Sequence, residues 1–361
     1  MHAYGPSYRL AGGRSRPKIL TVTDTRGVVH RQILKAHDDL RQDAIIANLF
    51  TIMNRLFERH PDCKGRQLAI RTYNIVPLAS SLGLVEWVDG AEVMYTCLER
   101  LYRRTQLNTW SLEQCRRYAS QQMDVLVQPV DACVAAFHEI QRHVPPVLRL
   151  AFYESFTSIQ HWLAQRDRYT NSVAATSIAG FVVGLGDRHL SNIMLHSQSG
   201  EVVHIDLGIA FGQGKILRVP ERVPFRLTAN LVDALGTLGA AGGFEQQCIR
   251  VLTALRESPL AIETTLDILR YAPLSTWLPA HVATRLERDE RDEAVAGDAA
   301  APATRRDERN QGSKAAMHAA LSVRRRLTSA VSVRSQVRDL IAEACDARNL
   351  AQMFRGWQSW L

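Results

Sequence analysis

The sequence lacks the features that mark secreted, membrane-spanning and metal-cluster proteins. No apolar run approaches the roughly 18 residues that span a bilayer, and the first twenty residues are polar and basic, unlike a secretory leader. Its six cysteines do not show the paired spacing of a metal site, which indicates reduced thiols. No internal repeat is present. These absences predict an intracellular protein without a membrane span.

Aromatic residues are also few, at 7% of the chain, and this bears on the excess of positive charge. The net charge of +8 suits a protein that handles ATP or acidic partners, but it identifies neither. Two basic clusters, residues 14–18 and 324–326, lack the interleaved aromatic side chains on which single-stranded nucleic acids stack. We interpret them as a phosphate-facing loop and a solvated helix face, so no direct nucleic-acid site is evident.

What the sequence does contain is a cluster of chemistry-bearing residues in one stretch, 184–208. Asp187 is followed five residues later by Asn192, and Asp206 stands before Leu-Gly. Transfer of a phosphoryl group to a hydroxyl needs one carboxylate for the nucleophile, with an amide and a second carboxylate to hold Mg²⁺. The alternative is that both aspartates are ordinary turn residues, since Asp beside Gly is common in loops.

The residues between these side chains predict a β-hairpin. Residues 193–196 and 202–205 have the composition of short strands, and Ser197-Gln198-Ser199-Gly200 has that of a turn. Asn192 and Asp206 are then expected at the two ends of the hairpin, where their oxygens converge on one cation.

The order of the residues around Asp187 resembles that of a known family. Ordinary protein kinases place His and Arg before the catalytic Asp, whereas here Asp187-Arg188-His189 runs the other way, after Gly-Leu-Gly. Together with Pro224-Phe225-Arg226-Leu227-Thr228 and the terminal Gly356-Trp357-Gln358-Ser359-Trp360-Leu361, this order resembles the phosphatidylinositol 3-kinase-related kinases. Residues 204–228 are most similar to the ataxia-telangiectasia-mutated (ATM) branch of DNA-damage kinases. The resemblance extends from about Tyr8 to Leu361.

The resemblance implies an α+β, bilobal protein-kinase-like fold of the PI3/PI4-kinase type. Its small β-rich N-lobe and the hinge are expected in residues 1–88, and its large helical C-lobe in residues 89–285. Alternating charges and an Ala/Pro-rich composition predict a disordered linker over residues 286–313, followed by a helix over 314–330. Residues 331–361 resemble the short C-terminal FATC element.

In the N-lobe, the resemblance implies an ATP site around Lys35. This lysine ends a predicted strand and is expected to grip phosphate, with Asp38 or Asp43 as its carboxylate support. Asp38 or Asp39 is an alternative N-cap of the following helix. The glycine turn at Gly13-Arg14-Ser15 is a plain hairpin turn by sequence alone, and the resemblance makes it a phosphate-covering loop.

The hinge is expected at Glu86-Trp87-Val88. Trp87 would offer a flat surface to adenine, and the main chains of Glu86 and Val88 would offer hydrogen bonds. The alternative for Trp87 is a core aromatic residue on a strand. Before the hinge, the pattern predicts a strand over residues 66–75 and a loop over 77–81.

Two further assignments concern catalysis. His189 either donates to the γ-phosphate or braces the loop by hydrogen bonding. The activation segment is expected over residues 206–228, and its family motifs are Leu207-Gly208 and Pro224-Phe225-Arg226. Its basic residues are not densely clustered, which favours a protein substrate over inositol phosphates.

The expected reaction is phosphorylation of Ser or Thr in proteins, with ATP and with Mg²⁺ or alternatively Mn²⁺. By resemblance, the targets are Ser/Thr-Gln sites in DNA-damage signalling, the location is the nucleus, and a larger helical regulatory region or an activating complex is the partner. The rivals are a phosphoinositide kinase and a catalytically silent scaffold.

Overall fold

The computed structural model describes residues 3–12, 16–154, 157–271 and 304–361, and its chain divides into two compact units. The first comprises Met1–Leu49, Thr72–Asp89 and Leu260–Arg324. The second comprises Phe50–Arg71, Gly90–Pro259 and Arg325–Leu361. Among the described residues, no helix is both long and apolar enough to cross a membrane.

The first unit contains an antiparallel sheet of six short strands. Its strands are β1 (Ala3–Tyr4), β2 (Arg9–Leu10), β3 (Lys18–Thr23), β4 (Val29–Ala36), β5 (Ile75–Ala79) and β6 (Leu82–Glu86). They lie in the order β1-β3-β4-β6-β5, and β2 also pairs with β3. The β3–β4 turn forms because the Asp24 carboxylate accepts the N–H groups of Arg26 and Val28, at 2.8 and 2.9 Å, while Gly27 takes a φ of +80°.

The prediction of a strand over residues 66–75 and a loop over 77–81 is wrong. Residues 66–74 form no strand, because the side chain of Asn54 takes up both main-chain groups of Ile70, accepting from its N–H and donating to its carbonyl at 2.8 Å each. The strand is β5 instead. It includes Pro77, which an edge strand tolerates, and its register with β6 shifts between Pro77 and Ala79.

Thirteen helices are described, and we number them in chain order: α1 (Arg41–Arg59), α2 (Pro61–Lys64), α3 (Met94–Thr105), α4 (Leu112–Gln122), α5 (Val130–His143), α6 (Ala151–Glu154), α7 (Ile159–Val183), α8 (Ala229–Asp233), α9 (Gly243–Glu257), α10 (Pro259–Tyr271), α11 (Thr304–Leu327), α12 (Val333–Cys345) and α13 (Ala347–Ala351). The long helix α1 is amphipathic: Ile46, Leu49, Phe50, Met53 and Phe57 are buried on one side.

The second unit is mostly helical, with helix α7 at its centre. Ala174, Ala175, Ile178, Ala179 and Val182 are all completely buried. The C-terminal half of α7, residues 172–183, is apolar or small on every side and must be enclosed by its neighbours; α7 packs against α9. A three-stranded antiparallel sheet, β7 (Ala91–Val93), β8 (Ile193–His196) and β9 (Val202–His204), completes this unit. The predicted hairpin is therefore present, and the α+β prediction is confirmed.

The C-terminal part is helical over more residues than predicted. Helix α11 begins at Thr304, so residues 304–313 belong to a helix rather than to the predicted linker, in keeping with their many helix-forming Arg, Glu and Gln residues. Residues 286–303 lie outside the described part of the chain. After α13, a short 3-10 turn carries Trp357, and the side chains of Trp357, Trp360 and Leu361 are buried.

Candidate active site

The site is built on the loop that follows helix α7. Gly184 ends the helix in the left-handed conformation, with a φ of +69°. The loop then pairs with the start of the activation segment: Gly186 N–H donates to Ile209 O at 2.8 Å, and Phe211 N–H donates to Val183 O at 2.9 Å. These main-chain bonds fix the loop before its first functional side chain.

Asp187 stands in an unusual conformation that an external carboxylate supports. Its φ is +55°, in the left-handed region that disfavours most side chains. Its N–H donates to the Glu221 carboxylate at 2.6 Å. Burial raises the pKa of Asp187 and the nearby charge of Asp206 raises it further, whereas His189 and Arg188 oppose the rise. Asp187 is therefore a half-exposed carboxylate with increased basicity.

The structure brings Asn192 and Asp206 to the two ends of the β8–β9 hairpin. Asn192 is buried in the turn before β8, and Ile205 N–H donates to its carbonyl at 3.0 Å. Its side-chain amide donates to Asp187 O at 2.9 Å, which directs the amide oxygen away from that contact. Asp206 follows β9 with an exposed side chain and a φ of +56°.

A buried arginine joins the catalytic loop to the Asp206 turn. Arg188 is only 3% exposed, and its guanidinium donates to four main-chain carbonyls: those of Gly186 at 2.7 Å, Ile205 at 2.8 Å, Asn192 at 3.4 Å and Asp206. These bonds hold the two proposed metal ligands in one arrangement. The role of Arg188 was not predicted, because the sequence gives no sign of where its side chain points.

His189 faces Asp187 and is held by the loop itself. Its Nδ1 accepts from Ser191 N–H at 3.2 Å, and its Nε2 lies 3.8 Å from the Asp187 carboxylate. Burial lowers the pKa of His189, although the Asp187 charge opposes this. Because Nδ1 is an acceptor, a neutral ring carries its proton on Nε2, where it can donate.

The donor set fits a hard divalent cation. Asn192 and Asp206 supply an amide and a carboxylate oxygen, the ligand types that Mg²⁺ prefers. Within the described ranges, no group of three or more His, Cys, Asp or Glu side chains is placed to hold a metal. A two-ligand site of this kind matches Mg²⁺ bound together with substrate phosphates and water.

In the first unit, Lys35 lies on β4 and forms an ion pair with Asp38 at 3.2 Å. Asp43 is buried in the first turn of α1. The neighbouring Asp39 instead binds Arg41, accepting from both its N–H and its guanidinium, so it acts locally at the start of the helix. Gly13, Arg14 and Ser15, the predicted phosphate-covering turn, lie outside the described residues.

The predicted hinge differs from expectation at one residue. The Glu86 N–H donates to Asn74 O at 2.9 Å, so it is not available to a nucleotide. The Val88 N–H has no hydrogen-bond partner within the described ranges. Trp87 is partly exposed rather than a core residue, and the Arg31 guanidinium lies 5.0 Å from the centre of its ring.

The activation segment is buried near both ends and exposed in its middle. Leu207 is buried and Gly208 is half-buried, whereas residues 215–218 are exposed. Phe225 and Arg226 are buried again, and Pro224 is half-buried. The Arg226 guanidinium binds the C-terminal residues, so it does not face a substrate.

Two more residues at the site were missed by sequence reasoning. The Glu221 carboxylate fills space that Gly186 and Gly214 leave open, since a Cβ at these glycines would lie 2.5 and 2.1 Å from its Oε2. Arg326 of α11 donates to Val182 O at 3.1 Å, and its Nη1 would lie 2.5 Å from a Cβ at Gly184. Both contacts join residues that are far apart in sequence.

Comparison with protein-family models agrees with this geometry. The model for "Phosphatidylinositol 3- and 4-kinase" matches residues 31–278, and the model for "FATC domain" matches residues 330–361. The chain therefore belongs to the phosphatidylinositol 3-kinase-related protein kinases, with an ATM-like kinase domain and a C-terminal FATC element. Family membership implies the use of ATP and a divalent metal in general.

The individual relatives belong to one branch. Serine/threonine-protein kinase TEL1 of Gibberella zeae is 39% identical over 98% of this chain, and serine-protein kinase ATM of Sus scrofa is 34% identical over all of it. The solved "open conformation of CtTel1" matches the whole chain with a TM-score of 0.84 at 35% identity, which confirms the predicted kinase fold. The chain spans only 12% of each of these two relatives and 13% of the solved chain.

Proposed function

We propose that this chain transfers the γ-phosphoryl group of ATP to serine or threonine hydroxyls of proteins, in a Mg²⁺-dependent reaction, at Ser/Thr-Gln sites of DNA-damage signalling. The observation that carries the proposal is the grouping of Asp187, Asn192 and Asp206 on one loop and hairpin, cross-linked by Arg188. The names of the relatives, serine/threonine-protein kinases, support the same reaction class.

Each residue has a role that its surroundings support. Asp187 orients the substrate hydroxyl and accepts its proton, a task that the raised pKa of this carboxyl favours. His189 donates from Nε2 to the transferring phosphoryl group or steadies Asp187. Asn192 and Asp206 would hold the cation. The chemistry that Mg²⁺ supplies when bound is neutralisation of phosphate charge.

The first unit would bind the nucleotide. Lys35 would contact its phosphates, with Asp38 or Asp43 as carboxylate support. Trp87 and the N–H of Val88, which has no partner among the described residues, would contact adenine. Gly13, Arg14 and Ser15 remain part of this proposal from sequence alone.

The phosphoinositide-kinase alternative is disfavoured by the activation segment. Of its four basic residues, Arg226 is buried and bound to main-chain carbonyls, so only Lys215, Arg218 and Arg222 are exposed to an inositol phosphate. The scaffold alternative is disfavoured because Lys35, Asp187, Asn192 and Asp206 are all present.

A regulatory partner and a nuclear location complete the proposal. One solved relative is titled "FAT and kinase domain of CtTel1" and another "Complete CtTel1 dimer with C2 symmetry". We expect a helical regulatory region of that kind, or an activating complex, to act on this kinase domain. Imaging of a fluorescent fusion in cells with and without DNA damage tests the nuclear assignment, and exclusion from the nucleus under both conditions opposes it.

The test offers the chain Mg²⁺ and labelled ATP with a Ser-Gln peptide, a Ser-Ala peptide or phosphatidylinositol vesicles. Asp187→Asn removes the carboxylate at the site and keeps its shape. Asp167→Asn, an exposed position on α7, is the matched control. We expect label in the Ser-Gln peptide, unchanged in Asp167→Asn and lost in Asp187→Asn.

Label in the lipid instead would assign the chain to the phosphoinositide kinases. Binding of ATP without any transfer would favour the scaffold reading or a requirement for the regulatory region. Equal label in both peptides would retain the kinase and remove the glutamine preference.

A further inference from the structure

Arg226 is an arginine that the proposed reaction does not use, and it lies at the junction of three segments. Its guanidinium is wholly buried, and burial lowers its pKa to about 9. A buried cation is costly unless its donors are satisfied. Within the described residues, Arg226 has no Asp or Glu partner, so main-chain oxygens must provide that compensation.

Three of these oxygens belong to the last five residues of the chain. Nη1 donates to Trp357 O at 2.8 Å, and Nη2 donates to Gln358 O at 2.9 Å and to Leu361 O at 3.0 Å. The guanidinium also lies over the Trp357 ring, and its carbon atom is 4.3 Å from the centre of the ring. Arg226 therefore gathers the terminal segment, residues 357–361, around one charge.

The fourth oxygen belongs to the catalytic loop. Nη1 also donates to Arg188 O at 3.3 Å, the carbonyl of the residue that follows Asp187. The side chain of Arg188 in turn donates to Ile205 O at 2.8 Å and to Asp206 O. Two buried arginines thus form one continuous path from residues 357–361 to the main chain on both sides of the proposed metal site.

We propose that Arg226 is a positioning residue, which sets the catalytic loop through the carbonyl of Arg188 according to whether residues 357–361 are in place. The inference rests on the proposed kinase function, because it concerns the same Asp187 and Asp206. It assigns to the terminal segment a defined atomic connection to the site, beyond its contribution to folding.

A purely structural role makes a different prediction. If Arg226 only held residues 357–361 on the protein, its loss would lower stability and loosen that segment, as breaking another C-terminal contact would. Arg338 provides that comparison, because it binds the largely buried Glu245 at 2.8 Å from helix α12 and has no contact with the catalytic loop. Arg338→Met is therefore the matched control.

The experiment compares Arg226→Met, Arg226→Lys and Arg338→Met in the full chain. Hydrogen exchange of residues 184–193 and 357–361 is measured together with kcat at saturating ATP and peptide. In Arg226→Met we expect faster exchange in both segments and a kcat lower by about 100-fold, the scale of a 1 Å misplacement. Arg226→Lys retains the charge and some hydrogen-bond donors. It should therefore restore part of the exchange protection and part of kcat.

Arg338→Met should retain the wild-type kcat even if its unfolding midpoint falls as far as that of Arg226→Met. Faster exchange confined to residues 357–361 in Arg226→Met, with kcat equal to that of Arg338→Met, would overturn the inference. If Arg226→Met does not fold, the exchange rates and kcat of Arg226→Lys are compared with those of Arg338→Met instead. An inactive wild-type chain would count against the proposed function, and exchange in residues 184–193 would still decide whether Arg226 sets the loop.

Discussion

Substituting Gly214 should disable the site without touching any residue assigned to the reaction. A Cβ at this position would lie 2.1 Å from Glu221 Oε2 and 2.9 Å from its Cδ, so the carboxylate must leave. The Asp187 N–H, which donates to Glu221 at 2.6 Å, then loses its acceptor. Asp187 would no longer be held at its φ of +55°.

The size of the effect follows from that one bond. A hydrogen bond to a charged group contributes about 1.5–3 kcal/mol. If the loss falls on the geometry of Asp187 in the transition state, kcat decreases by about 10- to 100-fold. Since Glu221 transmits the effect, Gly214→Ala and Glu221→Ala should each reduce kcat, and the double variant should be no worse than the poorer single one.

The assay is a double-mutant cycle on peptide phosphorylation at saturating ATP. Gly243→Ala is the control, because a Cβ there meets Thr170 Cγ2 at an ordinary 3.7 Å. Independent effects that multiply in the double variant would refute the reasoning, as would a Gly214→Ala protein with wild-type kcat.

Three further predictions test other parts of the chain. Asp206→Asn removes the negative charge of one proposed ligand, so half-maximal activity should need at least about tenfold more Mg²⁺, and an unchanged metal titration would contradict the assignment. Gly200→Ala should destabilise the protein by about 2–4 kcal/mol in urea unfolding, because φ is +78° and a Cβ would lie 2.6 Å from Gln165 O. An unchanged midpoint would oppose this. Burial raises the pKa of Cys97 from 9.0 to about 12, so its thiol supports the fold fully below pH 9 and progressively less as the pH rises towards 12. Cys97→Ala should reduce the loss of unfolding free energy between pH 8 and pH 10.5 by about 2 kcal/mol, and an equal loss in both proteins would contradict the shift.

The local pattern of the sequence was sufficient for the hairpin and its flanking polar residues. Strand composition on both sides of the turn at Ser197–Gly200 placed Asn192 and Asp206 together, because a hairpin is a short-range structure. The same short-range reasoning failed over residues 66–75. There Leu68 and Ile70 are buried, but the side chain of Asn54 on α1, and not a neighbouring strand, binds the main chain of Ile70.

Residues that act over long range could not be found in this way. Glu221 and Arg226 bond to groups 34 and 38 residues away in the catalytic loop, and Arg226 also reaches the chain's last residues. The local sequence around Glu221 and Arg226 does not distinguish these two residues from the exposed charged residues of the activation segment. The occupied N–H of Glu86 was missed for a similar reason, because its acceptor, Asn74, lies on the segment that was assigned to the wrong strand.

The left-handed backbone at Asp187 and Asp206 has an evolutionary consequence. Asparagine and glycine tolerate this conformation at least as well as aspartate, whereas β-branched and bulky residues do not. The substitutions that most easily silence the chemistry are therefore also among those that least disturb the fold. A duplicated copy of this gene that lost the proposed transfer reaction through a change at either position would be expected to persist as a folded protein.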